Sequence, residues 1–150
     1  MATGTFTRSF VSSRSRAECW TTLTDVARMA EWVDLVSNVV IHEPLARYGA
    51  MLEDRVGPFR LRADLDIVVT DHENEKRIRF RAAGEDRQVG SRLSIDAGME
   101  LDESPVGVAI TFEGSYSVEG RVATLGSSMI THKADLTLGR FLDRAQTELR

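Results

Sequence analysis

Phe59-Arg60-Leu61-Arg62-Ala63-Asp64-Leu65-Asp66-Ile67-Val68-Val69 is the stretch on which the reading of this chain turns. Its apolar residues Phe59, Leu61, Ala63, Leu65, Ile67 and Val69 alternate with the charges of Arg60, Arg62, Asp64 and Asp66. A period of two sends these sets to opposite sides of an extended strand, one dry and one wet. The pattern recurs downstream. Ile78, Phe80 and Ala82 alternate with Arg77, Arg79 and Arg81, and Leu93, Ile95, Ala97, Met99 and Leu101 alternate with Arg92, Ser94, Asp96, Glu100 and Asp102. Val108, Ile110, Phe112, Tyr116 and Val118 make a further set. Upstream, Tyr48 to Val56 is a weaker strand that Gly57-Pro58 interrupts, Leu35 to Glu43 is an apolar β-branched run closed by Pro44, and Thr3 to Val11 is a first strand with Phe6 and Phe10 on one face. Polar turns such as Asp71 to Glu75 separate the strands. One-sided strands joined by polar turns specify an antiparallel meander, and no βαβ unit interrupts them.

The period switches to helical twice. Behind the polar break Ser12-Ser13-Arg14-Ser15, the spacing of Ala17, Trp20 and Leu23 predicts a short amphipathic helix. Thr24 or Asp25 caps a second one, with Val26, Met29, Ala30 and Val33 inward. From Glu119 to Arg150, Val122, Leu125, Met129 and Leu136 recur at helical spacing, joined by Ile130, Phe141, Leu142, Ala145 and Leu149. One helix over this length would reach about 45 Å at about 1.5 Å per residue. Gly126 and Gly139 weaken it, and Thr131 to Thr137 is a place for a bend. Gly120 suits the strand-to-helix turn, and Gly126 a close approach of helix to sheet. The dry face of the sheet needs a cover, and only this helix is large enough. The expected fold is α+β: a curved antiparallel sheet of six or seven strands wrapped around a long C-terminal helix, with two short helices after the first strand. Residues 1–150 read as one domain.

Composition narrows the function. The net charge of −4, from 19 basic and 23 acidic residues, offers no basic footprint for nucleic acid. Cys19 stands alone, so an internal disulfide is excluded, which fits a reducing compartment. The N-terminal residues lack a signal-peptide core, and no stretch has the roughly 20 apolar residues of a membrane span, so a cytoplasmic location is expected. His42, His72 and His132 fall on three different elements, and no metal-ligand spacing is present. His42 and His72 are expected at the surface. Cys19 reads as a buried inert thiol, and neither a nucleophile elbow nor a phosphate loop is found. No metal or cofactor is expected.

The candidate site is therefore an apolar cavity between sheet and helix. Leu61, Leu65, Phe80, Ile95, Met99 and Ile110 face it from the sheet in this reading. Phe112, Tyr116, Trp32 and Met129 add aromatic rings and an adaptable thioether. Lys133 falls on the stripe of Val122, Leu125, Met129 and Leu136. Either its stem snorkels to the edge, or its ammonium points inward to meet a ligand carbonyl, carboxylate or phenol. His132 beside it would do similar work if the helix bends. Arg8, between Phe6 and Phe10, and Asp54, between Leu52 and Val56, sit on the same strand faces as apolar residues. Edge exposure is the simpler account; if both turn inward, they pair with each other or orient a polar ligand group. The outward arginines Arg60, Arg62, Arg77, Arg79 and Arg81 are expected to pair with acidic residues across strands, the alternative being a docking surface for an acidic partner.

The order of elements resembles the START-like superfamily, which includes birch-pollen allergens, polyketide cyclases and lipid-transfer domains. Trp20, Leu23-Thr24-Asp25, Met29-Ala30 and Trp32 look like the helical signature of many bacterial members. Val56-Gly57-Pro58-Phe59-Arg60-Leu61 and Gly120-Arg121-Val122-Ala123-Thr124-Leu125-Gly126 are similar to segments of the family of the carbon monoxide dehydrogenase G subunit. The resemblance implies a carrier that binds a lipid-like or quinone-like molecule and helps place a molybdenum-containing dehydrogenase at the membrane. The implied partners are thus an apolar small molecule and a dehydrogenase or the membrane periphery. Two departures stand out. Val33-Asp34-Leu35 replaces the family's frequent Pro-Gly, and the sequence ends at Arg150 where members often continue into a membrane-associating tail. The rival expectation is a cyclase-like enzyme drawing on Lys133, His132, Tyr116 and Arg8 for acid–base work.

Overall fold

The computed structural model describes all residues, Met1 to Arg150. Seven strands form one antiparallel sheet: β1 (Ala2–Ser12), β2 (Val36–Glu43), β3 (Arg47–Val56), β4 (Phe59–Glu73), β5 (Arg77–Asp86), β6 (Ser91–Ser104) and β7 (Gly107–Gly120). Their spatial order is β1-β7-β6-β5-β4-β3-β2, so β2 to β7 form an unbroken meander and β1 adds beside β7. The two edges, β1 and β2, are joined by helices α1 (Arg16–Leu23) and α2 (Val26–Ala30). A short 3-10 turn (Val122–Leu125) leads into helix α3 (Ser127–Glu148), which covers the inner face of the curved sheet. This is the α+β arrangement that the alternating strands required.

The short helices start where local chemistry allows. Ser15 accepts the Glu18 amide at 3.1 Å, which caps the first turn, and donates its hydroxyl to the Glu18 carboxylate at 3.2 Å. Asp25, not Thr24, caps α2 by accepting from the Arg28 amide. The inward residues of α1 are Cys19 and Leu23, one turn apart; Trp20 is half-buried and Ala17 exposed. Val26 and Met29 of α2 are buried, as its spacing predicted.

The C-terminal segment departs from a single helix. Strand β7 runs on to Gly120, whose φ of +92° makes the turn off the sheet. Gly126, at φ +96° and ψ 152°, then separates the 3-10 turn from α3. Nothing lies within 4 Å of where a Gly126 side chain would start, so its role is backbone conformation and not close approach to the sheet. Helix α3 has 22 residues and continues through Thr131–Thr137. Its buried residues are Ile130, Leu142 and Ala145, with Leu149 just beyond. The stripe of Leu125, Met129 and Leu136 is thus out of phase with the true inner face: Leu136 is 44% exposed. Gly126 breaks helical phase after Leu125, so the rotation set by Val122 and Leu125 does not carry into α3, where Ile130 and not Met129 faces inward.

The outer face of the sheet carries the charges. Arg77 pairs with Asp71 at 2.8 Å and Glu73 at 2.7 Å, Arg79 with Glu113 at 2.8 Å, Arg81 with Asp96 at 3.1 Å, and Arg62 with Glu53 at 3.9 Å. The expected cross-strand balance is present except at Arg60, whose neighbour across the hairpin is Arg55. His42 and His72 are exposed.

Candidate functional site

Between α3 and the inner face lies a cavity of about 340 Å³, within reach of the lower end for small-molecule sites. Hydrophobic residues make up 27 of its 36 lining residues, which suits an apolar guest. Strand alternation builds most of this wall. Leu61, Ala63, Leu65 and Ile67 of β4 face inward opposite Asp54, Leu52, Ala50 and Tyr48 of β3. Phe80 and Ala82 of β5 continue the surface to Ala97 and Ile95 of β6, and these to Gly114 and Tyr116 of β7. The glycines there receive aromatic rings from across the strand pair. Phe6 lies over Gly114, and Tyr116 over Gly4, where a side chain would collide with the ring.

One end of the cavity is closed by a chain of rings. Trp32 packs on Phe141 at 5.9 Å between centroids, Phe141 meets Phe112 edge-on at 5.3 Å, and Phe112 stacks with Phe10 at 6.0 Å. Such contacts are worth about 0.5–1.5 kcal/mol each beyond the area they bury. They fix the C-terminal half of α3 to the sheet. Phe112 and Phe141 also line the cavity.

The opposite wall holds the charges. Asp54 follows Tyr48, Ala50 and Leu52 on the inner face of β3 and precedes Val56. Lys133 reaches down from α3, and its ammonium lies 3.1 Å and 3.0 Å from the two Asp54 oxygens. The side chains are 13% exposed for Asp54 and 35% for Lys133. Asp54 Oδ1 also accepts the Arg55 amide at 2.8 Å. Three carboxyl groups on other parts of the sheet are pulled below their ordinary range. Arg47 holds Asp66 down by a direct hydrogen bond, Arg77 does the same to Asp71, and backbone amides of Arg62 and Val89 lower Asp86.

The structure brings together on the cavity wall Leu61, Leu65, Phe80, Ile95, Met99, Phe112, Tyr116 and Lys133. Three other expected positions lie away from it. Trp32 is 1% exposed and sits behind Phe141, so it supports the wall without lining it. Ile110 is fully buried in the core, beyond the aromatic chain. Met129 is 40% exposed, one residue before the inward Ile130, a result of the helical phase shift. Arg8 faces inward by alternation, but at an open edge: its side chain is exposed and bonds only to the Thr7 carbonyl. It makes no pair with Asp54, which has Lys133 instead. His132 is exposed on α3. The groups considered for acid–base work, Lys133, His132, Tyr116 and Arg8, are thus not hydrogen-bonded to one another. No group of three or more His, Cys, Asp or Glu residues gathers.

Sequence reasoning missed Phe6, Leu52, Val33, Leu138 and Phe141 as lining residues. Phe6 and Leu52 carried the signal of strand alternation. Leu138 and Phe141 follow from Ile130 at helical spacing once the helix is started at Ser127.

The profile of the CoxG family, that of the carbon monoxide dehydrogenase G subunit, matches residues 9–149. Among curated proteins, none matches this chain. Solved structures share the fold at low identity. A conserved protein from Geobacillus kaustophilus is 20% identical, with a TM-score of 0.77 over 98% of this chain and 94% of its own. Ara h 8.0201 is 12% identical, with a TM-score of 0.61 over 99% of both chains. The di-domain aromatase/cyclase StfQ from the steffimycin biosynthetic pathway is 9% identical, with a TM-score of 0.66 over 99% of this chain and 51% of its own. No helix is long and apolar enough to cross a membrane. With the curved seven-stranded sheet, the covering helix and a family match over nearly its whole length, the chain belongs to the CoxG family, that of the carbon monoxide dehydrogenase G subunit.

Proposed function

We propose that this protein is a carrier for an apolar small molecule, quinone-like or lipid-like, which it shields from water and presents to a partner of the dehydrogenase type. The observation that carries this reading is the cavity itself. A core that served stability alone would be filled, because interiors pack to the density of organic crystals and voids cost contacts. Here a space of about 340 Å³ remains between sheet and helix, walled mainly by hydrophobic side chains. Burying an apolar guest there would gain roughly 25 cal/mol per Å² of its surface. Membership of the family supports the dehydrogenase partner and a location at the cytoplasmic side, where no internal disulfide is needed.

Native mass spectrometry of protein purified without detergent is the direct test. The expected result is a discrete adduct that denaturation releases and that extracts into hexane. A ligand-free protein that also fails to take up added quinone or fatty acyl ester would overturn the reading.

A further inference from the structure

Of the strand residues that line the cavity, Asp54 alone carries a carboxylate. Stability does not call for it. A half-buried ion pair roughly breaks even against apolar residues of similar volume, and the stripe Tyr48, Ala50, Leu52, Val56 would continue with any aliphatic residue at 54. Its partner arrives from 79 residues away on α3. Both side chains border the cavity, while the other lining cation, Arg92, turns outward to Glu85 at 3.8 Å. Asp135 and Thr137 lie on the same helical rim.

An ammonium has three donors. The two Asp54 oxygens engage it at 3.1 Å and 3.0 Å, which neutralises its charge and leaves donor capacity toward the cavity. What completes such a donor is a neutral acceptor. A carboxylate head would instead meet the like charges of Asp54 and Asp135, with Lys133 already committed. We propose that the Asp54–Lys133 pair is a head-group anchor that selects apolar molecules bearing a neutral carbonyl and rejects fatty-acid anions. The inference rests on the carrier reading and adds the chemistry of the head group.

Two probes of equal chain length separate the outcomes: methyl dodecanoate, a neutral ester, and dodecanoate, its anion. Each displaces pyrene, a fluorophore with no hydrogen-bonding group, from the protein at pH 8. The wild-type chain is expected to bind the ester about tenfold more tightly than the anion. Asp54→Asn frees the Lys133 charge and should bring the two within about threefold or reverse them. Lys133→Met should weaken the ester about fivefold more than it weakens pyrene, a split that a merely structural role would not produce. Equal binding of ester and anion by the wild type, or an unaltered ratio in both variants, overturns the anchor and leaves the carrier standing. Failure of pyrene and both lipids to bind overturns the two together.

Discussion

Asp54 remains on an apolar wall because Lys133 reaches it, and each is costly without the other. Lys133→Leu alone strands a nearly buried carboxylate, so it should destabilise the fold by about 1–2 kcal/mol. Asp54→Leu combined with Lys133→Leu removes both charges and should restore wild-type stability or exceed it, as urea unfolding midpoints will report. Asp86 is a different case. Its carboxylate accepts the Arg62 amide at 2.7 Å and the Val89 amide at 3.0 Å, tying the β5–β6 turn to β4. Those bonds lower its folded-state pKa. The stabilisation is therefore complete above the unfolded value of about 4 and fades as pH falls through the lower folded value. Asp86→Asn should cost about 1–2 kcal/mol at pH 7 and progressively less below pH 4, measured by unfolding at both pH values.

Among the elements, α3 is the least uniformly held. Its far end is tied three ways. The Ser12 hydroxyl donates to the Leu149 carbonyl, Arg14 donates to the Arg150 carbonyl at 2.8 Å, and Arg28 pairs with Glu148. Its near end has Ile130 and the Lys133–Asp54 pair above the cavity. Two glycines bracket this near half with opposite consequences. Gly139 has nothing within 4 Å of its missing side chain, so Gly139→Ala should stabilise the protein by about 0.5–1 kcal/mol through helix propensity. Gly126 adopts φ +96° and ψ 152°, a region that other residues enter at a cost of about 1–3 kcal/mol. Gly126→Ala should destabilise by that amount despite open space around it. Thermal melts of the two variants provide the comparison.

At the scale of the molecule, stability and the cavity are segregated. Trp32, Phe141, Phe112 and Phe10 stack at one end, and the buried Leu149 closes the chain there. The cavity begins at Phe112 and Phe141 and runs from there beneath α3 as far as Ile130 and Lys133. Local opening follows where buried contacts are fewest. Amides of residues 127–138 should exchange hydrogen faster than those of 139–148, and a bound apolar molecule should slow the first group selectively. Equal protection along the helix would contradict this division. Leu149→Ala, at the packed end, should cost about 2–4 kcal/mol in global stability, measured by urea unfolding.

Alternation from Phe59 to Val69, repeated in β5, β6 and β7, determined the one-sided sheet, because a period of two has one physical meaning on an extended chain. It also placed Leu61, Leu65, Phe80, Ile95, Met99, Phe112 and Tyr116 on the wall that now lines the cavity. Helical phase was not legible in the same way. A glycine at φ +96° resets the rotation after Leu125, and only the folded backbone shows by how much; Met129 therefore turned outward and Phe141 inward. Depth was equally hidden, since Ile110 alternates correctly on β7 and Trp32 follows α2, yet both lie in the packed core. The pairing of Asp54 with Lys133 was decided by tertiary structure alone, because a contact between residues 79 apart depends on how the helix is laid across the sheet, and no local period encodes that angle.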